Sequence, residues 1–153
     1  MVTSTKLLVA TDGSAPAENA LAYATGISDA TDGSITAVYA VDPAVYERQE
    51  SEPIEGLTDA DERLIVESVS EAEERGAQML EDAAECCAEL GHDIETELLY
   101  GDPVTRITDY AEDSEFDTVC VGHRGRTEHA ELLLGSVAKS IVERATIPVT
   151  VVR

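Results

Sequence analysis

Val121-Gly122-His123-Arg124-Gly125-Arg126 and, after a run ending at Leu134, Gly135-Ser136-Val137 form the stretch on which the reading of this chain turns. Two residues separate Gly122 from Gly125, and nine more precede Gly135-Ser136. The stretch opens from the apolar run Thr118 to Val121, a strand by composition, and leads into a helix with Val137, Ile141, Val142 and Ala145. Glycines let backbone approach an anion with no side chain in the way. The free N–H groups at a helix start point at that anion. The helix dipole adds about 0.3–1 kcal/mol of attraction, up to about 2 in a partly buried site. Ser136 brings a hydroxyl to the same end, and Arg124 and Arg126 place two of the eight arginines beside the loop. In so acidic a chain, that concentration of positive charge points to an anionic ligand.

Outward from this stretch, short apolar strands alternate with amphipathic helices. Leu7 to Ala10 is followed by the turn Thr11-Asp12-Gly13-Ser14, with Ser14 as N-cap and Pro16 in the first helical turn. Ala17, Ala20, Leu21, Ala24 and Ile27 mark one face of that helix. Asp32-Gly33 turns the chain into a second strand, Ser34 to Val41, rich in β-branched residues. Residues 42–57 read as a surface loop, and Thr58 with Asp61 as a weak capping box. A long helical stripe then runs Ile65, Val69, Ala72, Gly76, Leu80, Ala83, Cys87, Leu90, with Gly91 placed to end it. Strands follow near Ile94 to Tyr100, at Thr118 to Val121 and at Val149 to Val152, and Gly101-Asp102-Pro103 starts a short helix carrying Val104, Ile107 and Ala111. Five strand–helix alternations predict one α/β domain over residues 1–153, with helices around a mostly parallel sheet.

Composition narrows the function. Thirty-two acidic residues against ten basic ones give a net charge of −22, which repels nucleic acid and anionic membranes. The acidity is spread over the chain rather than gathered in a tail, and Lys6 and Lys139 are the only lysines. That pattern suits a salty cytoplasm, where at about 1 M salt the Debye length is about 3 Å and carboxylate repulsion is screened. A halophilic source is expected, with a fold that loosens when salt is removed. Leu7-Leu8-Val9-Ala10 is too short for a signal segment or a span of about 20 apolar residues, so the expected compartment is the cytoplasm. Cys86, Cys87 and Cys120 show no framework spacing and read as small hydrophobes. His92, His123 and His129 have no partners at zinc-ligand spacing, and His123 reads as a surface loop residue.

The spacing Gly-x2-Gly-x9-Gly-Ser, filled by Gly122, Gly125, Gly135 and Ser136, resembles the nucleotide-binding signature of the universal stress proteins. The resemblance extends to the opening Leu7 to Ser14, to Tyr39-Ala40-Val41-Asp42, to Gly101-Asp102-Pro103 and to Ile147 through Val152. It implies a five-stranded parallel sheet of order 3-2-1-4-5 and a homodimer through Val149–Val152. It also implies bound ATP, with Mg or Mn as the accompanying ion. Residue by residue, Ala10, Thr11 and Asp12 then fall by the ribose and Ala40 and Val41 by the adenine. Val121 and Gly122 flank the nucleotide, and Gly125, Gly135, Ser136 and Val137 cradle the phosphates with Arg124 and Arg126 nearby. The order reverses between the first and fourth strands, and open α/β sheets bind ligands at such a switch point. Asp12 and Gly122 end those two strands.

No Gly-x-Ser-x-Gly elbow, Walker lysine or paired nucleophile and base is present, so the expected activity is binding in a stress-response sensor or switch rather than catalysis. Two alternatives stand beside it. One is a dimerisation module without nucleotide. The other is a slow ATPase or autokinase, in which Asp12, Ser136 and a divalent ion meet near the phosphates.

Overall fold

A computed structural model describes residues 4–43, 59–124 and 134–153, with the backbone alone over 59–68. In chain order the elements are β1 (Lys6–Ala10), α1 (Ala15–Thr31), β2 (Ser34–Val41), α2 (Asp59–Glu89), β3 (Glu95–Tyr100), α3 (Pro103–Asp113), β4 (Thr118–Gly122), α4 (Ser136–Arg144) and β5 (Val149–Val152). The strands form one sheet of order β3-β2-β1-β4-β5, and every neighbouring pair is parallel. The central strand β1 aligns Leu8 with Thr36 of β2 on one side and with Val119 of β4 on the other. Order and direction match the expectation.

Alternation along β1 divides the core in two, because successive strand residues face opposite sides. Leu7 and Val9 pack with Ala20, Leu21 and Ala24 of α1 and with Leu80, Ala83 and Cys87 of α2. Leu8 packs on the other side with Ile107 and Ala111 of α3 and Ala138 and Ile141 of α4. Helices therefore cover both faces, as parallel sheets require. Each fully buried Leu, Ile or Val contributes about 1.5–3 kcal/mol. One of the two lysines closes the sheet at the opposite end from the strand C-termini. Lys6 Nζ donates to the Ser114 carbonyl at 2.5 Å and lies 4.7 Å from the centre of the Phe116 ring.

One predicted helical face needs correction. Leu90 was expected on the buried stripe of α2, yet it is 52% exposed. The helix stops at Glu89, Gly91 adopts φ +84°, and His92 N–H donates back to the Cys87 carbonyl at 2.8 Å. That closing turn swings Leu90 outward. On α4, Ala138 and Ile141 take the inward positions, while Val137 and Val142 are 44% and 47% exposed and Ala145 follows the helix end. The proposed capping pair at Thr58 and Asp61, and the loop from residue 44 on, lie outside the described residues and side chains. Cys87 and Cys120 are fully buried, and burial pushes both thiols up to about 11. For Cys87 the neighbouring Cys86 adds to this, whereas a Thr150 hydrogen bond partly offsets it for Cys120.

Candidate functional site

Among the described residues each of the four helices follows a strand, and for α1, α3 and α4 the side chains of the first turn are described. Their first turns are finished in different ways. At α1, Ser14 Oγ accepts from Ala17 N–H at 3.3 Å, and Asp12 Oδ1 accepts from Ser14 N–H at 2.9 Å. Pro16 has no N–H to satisfy, and Glu18 N–H already reaches the Ser14 carbonyl. At α3, Asp102 Oδ2 accepts from both the backbone N–H and the hydroxyl of Thr105, each at 3.0 Å. These bonds hold the Asp102 carboxyl below its ordinary range, the Thr105 N–H first and its hydroxyl second. At α4 the N-cap is Gly135, which has no side chain to offer and makes no capping bond. Lys139 N–H is bonded to the Gly135 carbonyl at 2.9 Å, so the N–H groups of Ser136, Val137 and Ala138 have no intrahelical acceptor.

The open first turn of α4 borders a cleft of about 360 Å³, within the range of small-molecule sites. The cleft lies where the strand order reverses, between the ends of β1 and β4. Ala10, Thr11 and Asp12 line it from β1, Tyr39 and Ala40 from β2, Val121 and Gly122 from β4, then Arg124, Ser136 and Val137. Gly122 is glycine for a steric reason. A Cβ there would sit 2.8 Å from the Pro16 carbonyl carbon and 2.9 Å from the Ala17 nitrogen. The first turn of α1 is therefore pressed against β4, and the crevice opens toward α4 instead. Arg124 is the one cationic and Asp12 the one anionic side chain among the described lining residues. Asp12 also works as a turn residue, through its bond to Ser14 N–H.

Nine of the thirteen residues expected at the site line this cleft. Val41 does not. It follows Ala40 in β2, alternates to the other face and is buried. Gly135 is not among the lining residues either; it is fixed behind them, its N–H donating to the His123 carbonyl at 2.6 Å. Gly125 and Arg126 lie outside the described residues. Sequence reading missed Ser14, Ala17, Tyr39, Met79, Pro103, Ile107 and Ile141 as cleft walls. Ser14, Tyr39 and Pro103 stood beside motifs that were read. Met79 gave no local signal, since it reaches the cleft from the middle of α2. His123, expected at the surface, is half-buried.

Among the described residues no cluster of three or more His, Cys, Asp or Glu is arranged for a metal. One carboxylate does fit a divalent ion that arrives with phosphates, because Mg takes few protein ligands and completes its shell with phosphate oxygens and water. Also among the described residues, no helix is long and apolar enough to cross a membrane.

A doubly covered parallel sheet with its cleft at the β1–β4 reversal defines an open α/β fold of the switch-point class. The family model described as the universal stress protein family matches residues 3–153, and the chain belongs to that family. It is 32% identical over 148 residues to universal stress protein MJ0531 of Methanocaldococcus jannaschii, an alignment spanning 97% of this chain and 81% of that protein. The fold superposes on universal stress protein UspA of Lactobacillus plantarum with TM-score 0.77, 26% identity and 97% coverage of each chain. The universal stress protein of Archaeoglobus fulgidus in complex with dAMP gives TM-score 0.64 at 20% identity, with 100% of both chains covered.

Proposed function

We propose that this chain binds an adenine nucleotide, ATP, at the β1–β4 cleft and acts as a nucleotide-dependent sensor or switch in a cytoplasmic stress response. The observation that carries this reading is the first turn of α4, whose N-cap Gly135 has no side chain to cap it, beside Arg124, in a cleft where Ser14 and Asp102 cap the starts of α1 and α3. Phosphate oxygens at Ser136 and Val137 would meet N–H groups that no carbonyl of the helix can reach, with the dipole behind them. The ribose falls by Asp12 and the base by Ala40, and Gly125 and Arg126 are the further phosphate contacts of this reading. A divalent ion, Mg or Mn, would share Asp12 with the phosphates. The dAMP held by the Archaeoglobus protein of this fold supports an adenine ligand. The reading is of binding alone, without a catalytic apparatus.

Assembly completes the proposal. The two sheet edges differ: β3 carries Glu95 and Glu97, both exposed, whereas β5 is Val149-Thr150-Val151-Val152 with no charge and Val151 37% exposed. Charge on an edge strand blocks pairing, and its lack invites it. The β5 edge, with Val142 exposed on the neighbouring α4, is the surface that pairs two copies. Purification in high salt, light scattering, mass spectrometry of released small molecules and calorimetric titration with Mg-ATP test both parts. Twice the chain mass, with ATP recovered or tightly titrating, is expected. A dimer that takes up no adenine nucleotide at millimolar concentration would make this a dimerisation module instead.

A further inference from the structure

His123 is wired into the frame of the cleft at three points. Its N–H donates to the Val152 carbonyl at 2.7 Å, and its carbonyl accepts from Gly135 N–H at 2.6 Å. Its main chain thus ties the end of β5 to the N-cap of α4. In the side chain, Nε2 accepts from Arg124 Nε–H at 2.9 Å. An accepting Nε2 makes the imidazole neutral, with its proton on Nδ1. That Nδ1 is buried and finds no hydrogen-bond partner among the described residues. A buried donor left unmatched costs stability, so packing alone does not account for a histidine here. The contact its side chain does make is to Arg124.

Arg124 supplies the positive charge of the cleft among the described lining residues. Left unheld, so long a side chain must be ordered when an anion arrives, and that entropy is subtracted from binding. A bond from Nε to an imidazole whose own main chain is fixed at both ends orders it beforehand. The bond uses one of the five guanidinium N–H groups. Position matters here because salt screens charges that are not in close contact.

We propose that His123 is a positioning residue that holds Arg124 as a second anion contact in the α4 cleft, favouring a nucleoside triphosphate over a monophosphate. The inference rests on the nucleotide reading above. One helix start seats one phosphate group, and a fixed cation adds attraction in proportion to the further negative charge brought to it.

The test is calorimetric titration of the full chain with ATP and with AMP, for the wild type, His123→Leu, His123→Gln, Arg124→Ala and the double variant His123→Leu/Arg124→Ala. His123→Leu should weaken ATP about 5–10-fold and AMP less than about twofold. His123→Gln, whose Oε1 can accept from Arg124 Nε, should restore ATP affinity to within about twofold of wild type. In the Arg124→Ala background the His123→Leu change should have no further effect. Equal losses for both nucleotides, no loss, or a full His123→Leu effect without Arg124 would overturn the inference. Should His123→Leu not fold by circular dichroism, His123→Asn, polar but too short to reach Nε, takes its place with the same expectations. A wild type that binds neither nucleotide removes the nucleotide reading and this inference together. Binding of both with an unmoved ratio removes the inference alone.

Discussion

The first turns of α1 and α4 flank the same cleft, follow the two strands at which the sheet order reverses, and are finished in opposite ways. Ser14, Asp12 and Pro16 leave α1 with little to offer a ligand, and Gly122 lets its backbone lie directly against β4. At α4, a glycine stands where a capping side chain would be, and Ser136 and Val137 are exposed. A helix start without a cap forgoes about 0.5–2 kcal/mol of stability. The difference is the ground for the proposed anion seat: not every helix start on the binding edge, but α4, whose N-cap Gly135 has no side chain to cap it.

The sharpest way to break this contrast is to finish α4 as α1 is finished. Ser136→Asp puts a carboxylate on an exposed first-turn position, where the dipole favours it by about 0.3–1 kcal/mol, yet the same charge repels phosphate. Thermal stability should hold or rise while ATP affinity falls at least about 100-fold, or about 2.8 kcal/mol. Parallel loss of both would mean that the helix start matters for folding and not for ligand.

A smaller effect sharpens the comparison from the capped side. Asp102→Ala removes the cap of α3 and should cost about 1 kcal/mol in urea unfolding at neutral pH. Because Thr105 holds the folded carboxyl below its unfolded value, that stabilisation is complete above the ordinary Asp range, about pH 3.9. It is lost as pH falls through the lower folded value. The gap between wild type and variant should therefore close in acid. A gap that stays constant with pH would show that packing, not the charged cap, accounts for the loss.

Much of the frame was legible because local rules sufficed. Apolar runs bounded by turn residues located all five strands, Ser14 capped α1 as its place before Pro16 predicted, and Gly91 ended α2 with a left-handed φ. The cleft was legible at its two strand ends for the same reason, since a reversal in strand order says where a crevice must lie. What escaped depends on contacts far apart in sequence. Gly76 read as one more position on the α2 stripe, yet a Cβ there would sit 2.6 Å from Tyr39 Cδ1. It makes room for a ring that forms a cleft wall, alongside Met79 one turn further on. His123 looked like a loop residue because its partners, Val152 and Gly135, are distant in the chain.

Amide chemical shifts during titration of the isotope-labelled chain with ATP test the central claim most directly. The account predicts that the largest changes fall on Ser136, Val137 and Ala138, with Ala17 and Thr105 nearly still because their N–H groups are already bonded to Ser14 and Asp102. Larger changes at Ala17 and Thr105 than at α4, or none at the α4 first turn under saturating ATP, would contradict it.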